Sequence, residues 1–234
     1  MRKEFVLILV VLVASSGFLF AQEEKTGYEI GVYAGQQNWQ SRAFQIGPPR
    51  NSPPVDFSFR YGDEIAYGVR GNFLSKGHWG GEISYSYSKN TATITSQSRS
   101  PVTLRGAVQH AFYNEVFYPV PYGRAVTPFL TGGIGMAAYQ INDASRASAA
   151  QIGFGRLEET DIRLAFNYGG GVKVNVISHL GFRADFRHIF SDVPSYGQPK
   201  ALSISTQPIL PIGGKLQTSE VSVGIYFRAL LGFY

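Results

Sequence analysis

The sequence predicts an all-β fold, an eight-stranded antiparallel up-and-down transmembrane β-barrel. Three observations predict it. An apolar export leader opens the chain, short stretches of period-two alternation fill the rest, and the connections between them run short and long by turns. The last two are what a sheet that closes on itself within a bilayer requires, and the first is an export address.

The leader comes first. Residues 1–21 read MRKEFVLILVVLVASSGFLFA. Arg2 and Lys3 form a positive start, Phe5 to Val13 an apolar run, and Ala21 a small residue before Gln22. That is the pattern of a cleaved signal peptide. A membrane anchor helix is the competing reading, but the apolar stretch is at the low end of spanning length and the chain beyond it is strand-like. The expected division is a signal peptide at 1–21 and one barrel domain at 22–234.

Composition agrees with a β chain. Aromatic residues make up 14% and Gly numbers 27, while charged residues make up only 16%. Aromatic residues favour strands, and 234 residues suit one barrel or sandwich. There is no Cys, which excludes disulfides, thiol nucleophiles and thiolate metal sites. The net charge is +5, or +4 once the leader is removed, and no dense basic stripe is visible, so no nucleic-acid partner is expected.

Eight segments follow in order. Segment 28–36 sets Tyr28, Ile30, Val32 and Ala34 on one face. Segment 65–73 sets Ile65, Tyr67, Val69 and Phe73 against Ala66, Gly68, Arg70 and Asn72. Segment 79–88 is the clearest, with Trp79, Ile83, Tyr85 and Tyr87 against Gly80, Glu82, Ser84, Ser86 and Ser88. Segment 104–118 is the poorest, because Val108, Phe112 and Val116 share a face with His110 and Asn114; a bulge would resolve that conflict. Segment 129–138 alternates Leu130, Ile134 and Met136 with Phe129, Thr131, Gly133 and Gly135. Segment 162–176 alternates Ile162 to Val176 with Arg163, Asn167, Lys173 and Asn175. Segment 180–190 alternates Leu180, Phe182, Phe186 and Phe190 with Arg183, Asp185 and Arg187. Segment 219–227 alternates Val221, Val223, Ile225 and Phe227 with Glu220, Ser222 and Gly224.

The connections at 75–78, 119–126 and 177–179 are short. Those at about 40–60, 89–102, 140–161 and 191–218 are longer and polar, and the longest are rich in Pro. Short turns at one end and long loops at the other mark a bacterial outer-membrane barrel.

Alternation alone also fits a soluble lipocalin-like barrel or sandwich. The content of the two faces decides. The polar faces carry Arg70, Glu82, Lys173, Arg183, Asp185, Arg187 and Glu220, with Glu115 a further candidate partner; these are expected to pair inside and plug a narrow barrel. The apolar faces are large and aromatic. Tyr28, Tyr67, Trp79 and Tyr87 near segment ends are expected to form interfacial girdles.

Several of these segments carry a resemblance. Pro128–Gly135, Tyr168–Lys173, Gly181–Arg187 and the last strand Val221–Phe227, together with the leader, resemble the OmpA-like small outer-membrane barrels, the broad outer membrane protein β-barrel domain group, over about residues 27–228. The resemblance implies residence in the bacterial outer membrane, contact with outer-membrane lipid, and recognition of the C-terminal strand by the barrel-insertion machinery. It departs in one respect: the chain continues beyond Phe227 to Tyr234, so either that strand is longer or the signal lies at Phe233 and Tyr234. No appended periplasmic domain, and so no peptidoglycan anchor of that kind, is expected. The chain is expected to be a monomer.

No segment carries a catalytic pattern. Gly132–Gly135 and Gly169–Gly171 lack the helix and the Lys-Ser/Thr of a phosphate loop. The four His residues have no metal-ligand spacing, and no cofactor is expected. His188 and Ser191 could suggest a lipid-modifying enzyme, but three residues apart on a strand they point to opposite faces. The expected role is non-enzymatic: envelope structure or surface interaction through the long loops. A narrow pore for small solutes or apolar molecules ranks second, and a lipid-modifying enzyme third.

Overall fold

A computed structural model describes residues 25–40, 42–46, 55–75, 77–96, 99–120, 124–151, 156–197 and 215–230. The expected signal peptide lies outside them. The elements are β1 (Lys25–Trp39), β2 (Arg42–Ile46), β3 (Val55–Tyr61), β4 (Glu64–Ser75), β5 (Trp79–Ser96), β6 (Arg99–Phe117), β7 (Val126–Ile141), α1 (Asp143–Gln151), β8 (Thr160–Ile177), β9 (Leu180–Asp192) and β10 (Lys215–Leu230).

Eight strands close the barrel in the order β5-β4-β1-β10-β9-β8-β7-β6, with β6 returning to β5. Every pair is antiparallel. First and last strands meet from Gly27↔Leu230 to Trp39↔Thr218, so no barrel edge is left unpaired in lipid. β10 runs on past Phe227 with Tyr28 opposite Ala229, and the strand is therefore longer than its alternation suggests.

The other two strands lie within the long polar connection expected at about 40–60. β2 and β3 form a hairpin, and β3 pairs with the upper part of β5 from Phe57↔Ser96 to Tyr61↔Ala92. The second expected loop, 89–102, is also mostly strand. β5 and β6 stay paired from Trp79↔Phe117 up to Ser96↔Arg99. A two-stranded ribbon that climbs beyond the barrel presents an open edge, and β3 covers one side of it. The third loop holds α1, whose entry is capped by Asn142, its Oδ1 accepting from the Ser145 N–H at 2.8 Å. At the opposite end the turns are short, with β8 and β9 joined through Ser178 and His179.

β6 resolves its mixed pattern without a bulge. Its register is unbroken from Phe117 to Val102, and the irregularity falls beyond, between Ile94 and Ser96. Val108, His110, Phe112, Asn114 and Val116 all point inward and are buried. The strand is regular; its polarity is reversed, because an eight-stranded barrel is filled by side chains and accepts apolar ones as readily as paired polar ones.

Two glycines let the interior fit. Tyr33 lies across from Gly68 and Tyr226 across from Gly181. A Cβ at either glycine would stand within 2.4 Å of the facing ring, so each phenol lies flat over bare backbone.

Candidate functional site

The barrel interior holds the densest chemistry of the molecule, in three tiers. The middle tier is ionic. Glu82 projects from β5 and Asp185 from β9, strands on opposite sides of the barrel. Glu82 accepts from Arg183 Nη1 and from Arg187 Nη2, each at 2.5 Å. Asp185 accepts from Arg70 Nη1 at 2.5 Å, from Arg187 Nε at 3.0 Å and from Arg183 Nε at 3.2 Å. Glu220 lies 3.8 Å from Arg70 and accepts from Gln37 Nε2 at 2.8 Å. Three guanidinium groups thus face three carboxylates. Arg70 also stacks on the Tyr33 ring at 3.6 Å, and Arg183 on Phe129 at 4.2 Å. Buried charges cost heavily unless each is paired and hydrogen-bonded; every charge of this tier has an opposite partner, and among the described residues only Arg70 Nε and Arg183 Nη2 of its buried guanidinium nitrogens lack an acceptor.

The lower tier lies toward the short turns. Lys173 Nζ donates to Glu29 Oε2 at 2.6 Å and to the Tyr118 hydroxyl at 2.9 Å. Arg228 donates to the other oxygen of Glu29 from Nε and Nη2, both at 3.2 Å. Leu74, Val116, Tyr118 and Phe129 pack beside this cluster.

The upper tier is aromatic. Trp39, Tyr61, Tyr139 and Tyr196 pack with Leu104, Val108, Phe112 and Leu157 under the long loops. The Trp39 and Tyr61 rings are 5.1 Å apart. The stem of the last loop is pinned there: Asp161 accepts from the Ser195 and Tyr196 N–H groups at 2.6 and 2.7 Å and from Arg163 at 2.6 Å. Tyr196 has φ of 48° and Gly197 of 79°, a left-handed turn that swings the Tyr196 ring inward. Burial pushes the Tyr196 phenol well above its ordinary pKa, so it stays neutral.

The structure brings together Arg70, Glu82, Asp185, Arg183, Arg187 and Glu220. It places Lys173 one tier below, on Glu29. Glu115 corrects the sequence expectation: it is exposed on the outer face of β6 and accepts from the Tyr113 hydroxyl at 2.8 Å. The reversed polarity of β6 is the reason. Sequence reasoning missed Glu29, Arg228, Tyr33 and Gln37. Glu29 and Tyr33 lie between the apolar positions of segment 28–36, on the face that its alternation leaves to the interior. Arg228 and Gln37 lie just beyond the ends assigned to their strands.

The four expected girdle residues divide between the two ends. Tyr28 meets Phe73 edge-on at 5.7 Å, and Trp79 lies 5.0 Å from Phe117, both near the short turns. Tyr67 and Tyr87 are register partners nearer the long loops. His188 and Ser191 are not brought together. His188 Nδ1 lies 2.9 Å from Ser219 Oγ, whereas the buried Ser191 hydroxyl meets Tyr139 at 2.6 Å. Among the described residues no His, Asp and Glu group is placed to hold a metal ion.

Comparison with known proteins gives the same architecture. The family described as the outer membrane protein beta-barrel domain matches residues 5–228. The chain is similar in fold to Neisserial surface protein A, at 10% identity and a TM-score of 0.53 over 88% of this chain and 99% of that one. It is similar also to the outer membrane protein OprG from Pseudomonas aeruginosa, at 12% identity and a TM-score of 0.57 over 90% and 99%. No curated protein matches it. A closed barrel with aromatic outer bands and an ion-paired interior, matched by that family over nearly its whole length, belongs to the outer membrane protein beta-barrel domain family and resides in the bacterial outer membrane.

Proposed function

We propose that this is a non-enzymatic outer-membrane barrel with a packed interior plug, serving envelope structure or surface interaction through its long-loop end. One observation carries the reading. The ion pairs of Glu82 with Arg183 and Arg187 join β5 to β9 straight across the barrel. Aromatic packing closes the space above them, and the Lys173–Glu29 pair crosses below. A water path would have to break all three tiers, in a barrel whose bore is only wide enough for side chains.

Two further features support it. The β2–β3 hairpin, the tall β5–β6 ribbon and α1 gather ordered structure at the long-loop end, where a partner outside the cell would meet it. The separation of His188 from Ser191 supports the absence of hydrolase chemistry. A monomer handed to the membrane by the insertion machinery through β10 completes the proposal.

Planar-bilayer recording tests it. The refolded protein should give no unitary openings at moderate voltage. Regular single-channel openings would sink the plugged reading in favour of a narrow pore.

A further inference from the structure

The outer wall is not uniform. Large exposed apolar side chains stand on β1, β4, β5, β7, β8, β9 and β10, as with Val32, Val69, Trp79, Leu130, Phe166, Phe182 and Val223. Among the described residues β6 contributes none. Its outer face instead carries Arg105, Ala107, Gln109, Ala111, Tyr113 and Glu115. Ala107 and Ala111, with Ala138 beside them on β7, lie almost wholly beneath their larger neighbours.

At the top of this stripe, on the long-loop side, there is a cleft of about 450 Å³. Lys89 from β5 and Arg105 from β6 line it, with Tyr87 at its lower edge and Gln140, Asn142 and Glu159 opposite. Both cations are exposed, and neither forms an ion pair among the described residues. The site is built rather than loose. Asn142 N–H donates to the Arg105 carbonyl at 3.0 Å, and the Arg105 N–H donates to Ser145 Oγ at 2.8 Å, which ties the first turn of α1 to β6 beside the cleft.

Height in the membrane selects the ligand. Tyr87 belongs to the aromatic band at the long-loop side, where interfacial rings lie at the level of lipid headgroups. Lys89 is the next outward residue above it on β5, and Arg105 the next above Ala107 on β6. Two cations against one carboxylate, at headgroup height, suit a phosphorylated lipid. We propose that this cleft binds the phosphate of an outer-leaflet lipid.

The test uses the full barrel in phosphatidylcholine nanodiscs, with native mass spectrometry counting bound lipid. Phosphatidic acid is titrated against diacylglycerol of the same chains. The native protein should retain phosphatidic acid and not diacylglycerol. Lys89→Ala with Arg105→Ala should weaken retention roughly 30-fold, the expectation for two cations at a charged surface. Lys89→Arg with Arg105→Lys should bind as the native protein does. Lys215→Ala, a rim cation on β10, should have no effect. A heat-dependent shift on SDS gels verifies that each variant is folded. Undiminished binding in the alanine pair, or equal retention of diacylglycerol, would overturn the proposal. So would full displacement by millimolar inorganic phosphate, which marks a free-anion site. A disulfide between two copies of Lys89→Cys would assign the cleft to a second copy of this chain and overturn it likewise.

Discussion

β6 and β10 face each other across the same barrel and obey the same period of two, yet their contents are reversed. β10 sends Thr218, Glu220, Ser222 and Arg228 inward and Val221, Val223, Ile225 and Phe227 outward. β6 sends Leu104, Val108, Phe112 and Val116 inward, with His110 and Asn114 among them, and turns Gln109 and Glu115 outward. The rule behind both is that the interior of a narrow barrel must be filled and every charge within it paired. Polarity as such is not required there. The outer wall of β10 is bound by the hydrocarbon it meets, whereas the outer wall of β6 carries hydrogen-bonded polar pairs, Tyr85 with Gln109 and Tyr113 with Glu115.

Four substitutions and one control would break or sharpen this contrast. The largest effect is expected from Glu82→Ala, which removes one of the two carboxylates that Arg183 and Arg187 share and leaves both on Asp185 alone. Breaking a buried pair this way costs about 3–5 kcal/mol, read as a fall in unfolding free energy by urea titration in lipid. A loss below about 1 kcal/mol would mean that water reaches the tier, against the plugged reading. Next is Phe112→Ala, expected to cost about 3 kcal/mol by leaving a cavity in the upper tier. Near-neutrality would place Phe112 on the lipid side and shift β6 by one residue.

Val223→Arg comes third, at roughly 2–3 kcal/mol, because it puts a charge on a lipid-facing position of β10. Its control, Gln109→Arg on β6, should cost less than about 1 kcal/mol in the same assay, since that position is already polar and near the aromatic band. Equal costs would erase the distinction between the two walls. The smallest effect among the four belongs to Tyr139→Phe, which removes the hydrogen bond to Ser191 for about 1 kcal/mol. A much larger loss would show that the Tyr139 hydroxyl holds the loop stem as well.

Much of the site is legible wherever a strand alternates cleanly. Arg183, Asp185 and Arg187 sit two apart on β9, each directly after Phe182, Ala184 or Phe186, and that spacing alone sends all three charges to one face. Glu82 is placed in the same way between Trp79 and Ile83. Glu115 is misplaced by its local pattern, because the sign of a residue says less about the face of β6 than what the interior still needs. Glu29 is passed over when only the apolar face of its segment is weighed. The partner of Lys173 is 144 residues away in the chain, and no local spacing reports such a distance.

What the sequence alone determined here is the class of fold. The period of two, the aromatic and apolar faces and the rhythm of short and long connections are local properties, and each follows from what a bilayer demands of a sheet. Only the tertiary structure decided which face of β6 points inward, which carboxylate answers which cation, and that the first loop is a hairpin leaning on β5. Those outcomes depend on the volume and charge left by seven other strands once the barrel has closed, and that quantity is not carried by any one segment.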